Sequence, residues 1–212
     1  MPHFESSFCG SLNLINNDFP RLTFVYLVID ESASMTFEGS MDRFNEALVE
    51  FHSAIASDPL IAEESRISLL AFSDEAEVLM HSTPAAEITH MPGLRKTDRQ
   101  RCFGPVFDLL KEVIDRDFSL YREEIRWNPI VFFILDGEPA DSDWEAAHTA
   151  LIGAGPGNLN SPGIVAIGTS NVEPSTIKRV ATLAAFQMED GASMQDVVFE
   201  LVSRIYGSLW QS

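Results

Sequence analysis

Two kinds of apolar pattern alternate along this chain. Residues 22–29 (LTFVYLVI) and 129–135 (PIVFFIL) are runs of β-branched and aromatic residues with no polar alternation. Such runs predict strands buried on both faces of a parallel sheet. Met41, Phe44, Leu48, Phe51 and Ile55 recur at three- and four-residue intervals, the spacing of an amphipathic helix. Residues 66–72 predict a second strand, and 75–80, after a Ser73-Asp74 turn, a short antiparallel edge strand. A loop rich in proline and polar residues, 82–100, follows. Pro105 suits the first turn of a helix with Val106, Leu109, Leu110, Val113 and Ile114 on its apolar face. Ser142 and Glu145 have capping-box spacing and open a helix through Trp144, Ala147 and Leu151. Residues 163–168 predict a strand, Pro174 begins a helix carrying Ile177, Val180 and Leu183, and 186–188 form a last short strand. Ser193 is the expected cap of a terminal helix holding Val197, Leu201, Ile205 and Leu209.

Strands that alternate with helices require parallel pairing through right-handed crossovers. The predicted fold is α/β: a doubly wound, mostly parallel central sheet with helices on both faces and one short antiparallel edge strand. Residues 1–21 read as an N-terminal arm and 22–212 as one folded domain, which suits 212 residues of 45% hydrophobic content. The longest apolar stretches are too short to cross a bilayer. Residues 1–6 (MPHFES) lack the basic start and apolar centre of a secretory signal, so a soluble, cytoplasmic protein is expected. Cys9 and Cys102 do not make a disulfide framework and are expected as reduced thiols. The net charge of −18 disfavours nucleic acid and anionic membranes, which are bound through Lys and Arg. Basic proteins or basic segments are better candidates, though acidity also serves solubility alone.

Candidate chemistry gathers at the strand ends. Asp30-Glu31-Ser32-Ala33-Ser34 stands directly after the first apolar run, and Asp136-Gly137 directly after 129–135. Open α/β sheets bind ligands at the carboxyl ends of their strands. If the two strands are neighbours, Asp30 and Asp136 share one edge and repel each other unless a cation or protons offset them. Asp30, Ser32 and Ser34 offer hard oxygen donors at alternate positions, suited to a cation of the magnesium class. Equally, both aspartates read as turn residues and the serines as helix caps.

Asp30-x-Ser32-x-Ser34-Met35, then Asn45 on an amphipathic helix, then Ile134-Leu135-Asp136-Gly137, resembles the von Willebrand factor A (vWA) domain. Asp58-Pro59, residues 68–74 and Glu138-Pro139-Ala140-Asp141 resemble most the bacterial vWA proteins of tellurium-resistance and stress-response clusters. The resemblance spans about residues 22–205 and implies a metal-ion-dependent adhesion site. In it Ser32 and Ser34 would ligate Mg²⁺ directly, Asp30 and Asp136 directly or through water, with a threonine and a partner's carboxylate completing the set. It also implies protein partners, among them a protein kinase or a PP2C-type phosphatase. This chain departs from the family in the loop that supplies the threonine: Arg99-Gln100-Arg101-Cys102-Phe103-Gly104 puts Arg101 in that place. Thr97 or Asp98 would reach the site only in a rebuilt loop. Two arrangements stay open: Arg101 pairs with Asp30 or Asp136 in place of the metal, or it points to solvent and the ion keeps the other four ligands.

The reading is thus a cytoplasmic protein-interaction module with a whole or degenerate metal site, not an enzyme, with Arg101, Glu31 and Glu138 facing the partner. The alternatives are a metal-dependent hydrolase using Asp30 and Asp136, and a metal-free structural or assembly protein. Other motifs carry less. The glycine-rich segment 153–157 follows a helix and lacks lysine, so it reads as a turn rather than a phosphate loop. His3, His52, His81, His90 and His148 show no metal-ligand spacing and are expected at the surface. No Gly-x-Ser-x-Gly elbow occurs, and residues 121–126 read as a solvated helix end.

Overall fold

Every residue of strand β1 (Thr23–Asp30) is buried, and its successive side chains enter opposite layers of the core. In the computed structural model of the chain, residues 22–32, 41–122, 127–153 and 160–188 are described, with backbone alone for 41–44 and 60. The arm, Cys9, Ser34, most of segments 121–126 and 153–157, and the Ser193 helix lie outside them. The elements that follow β1 are α1 (Met41–Ala56), α2 (Pro59–Glu64), β2 (Ser65–Phe72) and β3 (Ala76–Pro84). A 3₁₀ turn (Ala85–Glu87), α3 (Gly104–Leu120), β4 (Ile130–Leu135) and α4 (Trp144–Ile152) come next. The last described are β5 (Gly163–Gly168), α5 (Pro174–Val180) and β6 (Ala184–Gln187). They build one six-stranded sheet in the order β3-β2-β1-β4-β5-β6. All neighbours are parallel except β2 and β3. This is the doubly wound α/β architecture expected from the pattern.

One face of the sheet is largely aliphatic. Val25, Leu27 and Ile29 pack with Leu48, Phe51 and Ile55 of α1 and with Ile88, Met91 and Leu94 of the long loop. The other face is aromatic: Phe24, Tyr26 and Val28 pack beneath α3 and α4. There Phe107 stacks on Phe133 at 5.1 Å between ring centroids, and Phe103 meets Trp144 edge-on at 5.4 Å. Each such side chain contributes about 1.5–3 kcal/mol by leaving water, so the face under α3 is a strong anchor. Within it the Tyr26 hydroxyl donates to Asp117 at 3.1 Å, and Arg116 pairs with the same buried carboxylate at 2.9 Å. Burial, then the adjacent carboxylate, pushes the Tyr26 phenol well above its ordinary range, which keeps it a donor.

Several local expectations change. The edge strand β3 runs on to Pro84, with register shifts opposite Ile67–Leu70 that let it bend with the sheet. Helix α2, six residues long, is too short to show a period. Ser142 does not cap α4: the N-cap is Asp143, without a side-chain hydrogen bond. Leu183 falls beyond α5, and the last strand begins at Ala184 rather than at 186. His148 is buried, not superficial. Its Nε2 lies 2.9 Å from the Val180 carbonyl, which can only accept, so Nε2 carries a proton and donates it.

Burial lowers the His148 pKa from the ordinary value of 6.5. The unfolded chain therefore binds more protons there in acid. The stability this residue confers is complete above 6.5 and is lost as pH falls toward the depressed value. Denaturant titrations of wild type and His148→Gln should show the wild type losing stability faster below that pH; parallel curves would contradict a buried neutral ring.

Candidate functional site

β1 and β4 pair in parallel from Val25↔Ile130 to Ile29↔Ile134, so their carboxyl ends meet where the strand order reverses. At this switch point a doubly wound sheet opens its crevice. Asp30, the last residue of β1, is fully buried, and Asp136 is 2% exposed. The Asp136 N–H donates to Asp30 Oδ2 at 3.3 Å, and the Ser32 N–H to Asp30 Oδ1 at 2.8 Å. The two acids are brought together as the sequence implied.

Arg101 takes the inward of its two arrangements. Its Nε donates to Asp30 Oδ2 and its Nη1 to the Glu138 carbonyl at 3.3 Å, with 6% of the side chain exposed. Four backbone contacts hold the segment in place. Arg101 O accepts from Ala140 N–H at 2.7 Å, and Cys102 N–H donates to Ser73 O at 2.8 Å. The N–H groups of Phe103 and Gly104 donate to the Asp141 carboxylate at 2.9 and 2.7 Å. Asp141 is thus an acid at the positive end of α3, where helix dipole and unpaired N–H groups favour it. Gly137 makes the seat possible: a Cβ there would collide with Arg101 Nη1 and stand 3.1 Å from Cζ.

The second acid accepts from the turn after β5. Asp136 Oδ1 accepts from the Thr169 hydroxyl and from Asn171 Nδ2 at 3.0 Å. Neither partner was singled out by motif. Both follow β5, the neighbour of β4, so extending the strand-end rule to a third strand would have found them.

The remaining predicted residues face inward or sideways. Glu31 is buried, not turned to a partner: its carboxylate accepts from Arg95 N–H at 2.6 Å, and its carbonyl from Thr97 N–H and Oγ1 at 2.8 and 2.9 Å. Desolvation raises its pKa, opposed by the Arg95 hydrogen bond. Thr97 is therefore committed to Glu31 rather than to Asp30. Asn45 Oδ1 accepts from Leu94 N–H at 2.8 Å and its Nδ2 donates to Leu94 O at 3.3 Å, so the long loop is strapped across the edge. Glu138 is exposed, but its carboxylate binds Glu173 N–H at 2.9 Å and the Thr176 hydroxyl at 2.6 Å at the start of α5. Ser32 Oγ is buried with no partner among the described residues.

A von Willebrand factor type A structure from Catenulispora acidiphila matches with a TM-score of 0.67 at 14% identity, over 86% of this chain and 42% of that one. This chain has the von Willebrand factor A fold. The ArnB paralog VWA2 from Sulfolobus acidocaldarius matches at 0.56 and 16% identity, over 86% of this chain and 45% of that one. The mussel byssus proximal thread matrix protein 1, in a structure with a zinc-occupied MIDAS motif, matches at 0.54 and 16% identity, over 88% and 46%. The chain spans less than half the length of each. No protein-family model matches the sequence, and no curated protein matches it. At these identities the vWA likeness is one of fold.

Among the described residues, the donors at this vWA sheet edge do not suit a divalent ion. One oxygen of Asp30 is taken by Ser32 N–H, and the other is shared by Arg101 and Asp136 N–H. A guanidinium inside the cluster repels a second cation. Among the described residues no three His, Cys, Asp or Glu side chains group to hold a metal. Among the described residues, Ser32 Oγ keeps the character of a free ligand.

Removing Arg101 strands a buried charge. Arg101→Ala should cost about 3–5 kcal/mol in urea denaturation, and Asp30→Asn/Arg101→Ala less than the sum of its single changes. Additive losses would show that the two do not act as a pair. Asp141→Ala should cost about 1 kcal/mol through the lost α3 cap; an unchanged midpoint would refute the cap.

Proposed function

We propose that this chain is a protein-interaction module that docks its partner on the carboxyl edge of the sheet, over the crevice between β1 and β4. What carries the reading is that the four acids the sequence singled out at this edge are engaged in holding the protein together. Asp30 is engaged by Ser32 N–H, Arg101 and Asp136 N–H, and Asp136 by Thr169 and Asn171. Glu31 holds the long loop and Glu138 holds α5. A nucleophile or general base must instead be presented to a substrate within hydrogen-bond reach. The consolidated edge offers shape, backbone dipoles and a rim on which Asp98, Ser170 and Asn171 are exposed.

In this reading the chain is not an enzyme, and it works in the cytoplasm within a stress-response system of the tellurium-resistance type, as the sequence resemblance implies. Its partner is a protein kinase or PP2C-type phosphatase of that system, approaching with a basic surface that suits the charge of −18. No helix among the described residues is long and apolar enough to cross a membrane.

The test is calorimetric titration of a kinase or phosphatase partner with rim variants. Asp98→Lys and Ser170→Trp should each weaken binding about tenfold or more, the scale of a disrupted contact of 1.4 kcal/mol. Glu63→Lys, at the opposite end of the sheet, should not. Equal effects at all three positions, or none, would overturn the docking edge. Phosphatase turnover that disappears in Asp30→Asn would put hydrolysis in its place.

A further inference from the structure

We propose that the Arg101 guanidinium is the resident cation of this edge, and that the chain docks its partner without a divalent ion. The proposal rests on the docking reading above and deepens it. Two buried carboxylates at one strand end require a counter-charge. A bound ion supplies it conditionally, at a level set by its concentration and affinity. Arginine supplies it permanently, because the guanidinium does not lose its proton in a protein.

The seat is built, not a chance rotamer. Gly137 leaves out the Cβ that would collide with the guanidinium. The Ala140–Arg101 and Cys102–Ser73 backbone bonds fix the chain on either side, and Asp141 pins the next two N–H groups. Phe103, two residues on, is fully buried in the aromatic layer, so the backbone of Arg101 cannot drift from the edge without emptying the core. At the same time Thr169 and Asn171 draw the Asp136 carboxylate toward β5. Arginine thus pairs with Asp30, while Asp136 accepts from the neutral donors Thr169 and Asn171. Ser32 Oγ, buried and without a partner among the described residues, is the oxygen this exchange leaves over. Removing the guanidinium would leave Asp30 Oδ2 with the Asp136 N–H alone among the described residues, restoring an anionic oxygen of the kind a hard cation takes.

The experiment follows the electron paramagnetic resonance signal of free Mn²⁺ as protein is added, and repeats the partner titration in Mg²⁺ and in EDTA. Wild type should leave the Mn²⁺ signal as in buffer. Arg101→Thr should deplete it with one-to-one saturation, and Arg101→Thr/Asp30→Asn should not. Circular dichroism identifies any variant that fails to fold, and wild type then decides alone. One-to-one Mn²⁺ binding by wild type, or none by folded Arg101→Thr, would overturn the resident-cation proposal. Partner affinity should be the same in Mg²⁺ and EDTA, and a loss in EDTA would also overturn it. If the Mn²⁺ results hold while rim substitutions leave the partner bound, the docking reading alone fails.

Discussion

The buried pairing of Arg101 with Asp30 is the constraint around which the carboxyl edge is organised. Taking both charges out of water is costly, and their attraction offsets that only when further hydrogen bonds satisfy the remaining groups. Here the Ser32 and Asp136 amides complete Asp30, and the Glu138 carbonyl takes an Nη of Arg101. Ser32 lies on the turn after β1, Asp136 and Glu138 on the turn after β4, and Arg101 just ahead of α3. The ion pair therefore adds a buried link among loops that backbone hydrogen bonds also join.

That constraint is supported from below by the aromatic layer. Phe103 sits between Phe72, Phe133 and Trp144, with ring centroids 5.3–5.9 Å away. It belongs to the same short segment as Arg101, at the start of α3. The core and the edge are thus one structure: the hydrophobic contacts locate the backbone of 101–104, and the polar contacts locate its side chains. On the aliphatic face, helix α1 reaches the edge through Asn45.

Much of this was legible in the sequence where one rule acts alone. Unbroken apolar runs 22–29 and 129–135 could only be doubly covered strands, and their terminal aspartates had to meet once those strands were neighbours. The Arg101 substitution was visible because a threonine was expected there, but its inward arrangement depends on the Gly137 gap and the Asp141 cap, which are contacts between distant loops. Thr169 and Asn171 were missed because they complete the site from a third strand and belong to no spacing. His148 and Glu31 were misjudged for one reason: polar residues are usually exposed, and only a tertiary partner, Val180 O or Arg95 N–H, makes burial affordable. Ser142 was an attractive cap by spacing, yet the N-cap position fell to Asp143.

The Asn45–Leu94 pair has a mechanical meaning. A primary amide that donates to and accepts from one residue's backbone imitates a rung of β-ladder, so helix α1 grips the long loop as a neighbouring strand would. Movement of α1 along its axis cannot leave Leu94 behind without breaking both bonds, and Glu31 passes the same displacement to the end of β1 through Arg95 and Thr97. Helix, loop and strand end form a closed linkage, in which a push at any member is felt at the other two.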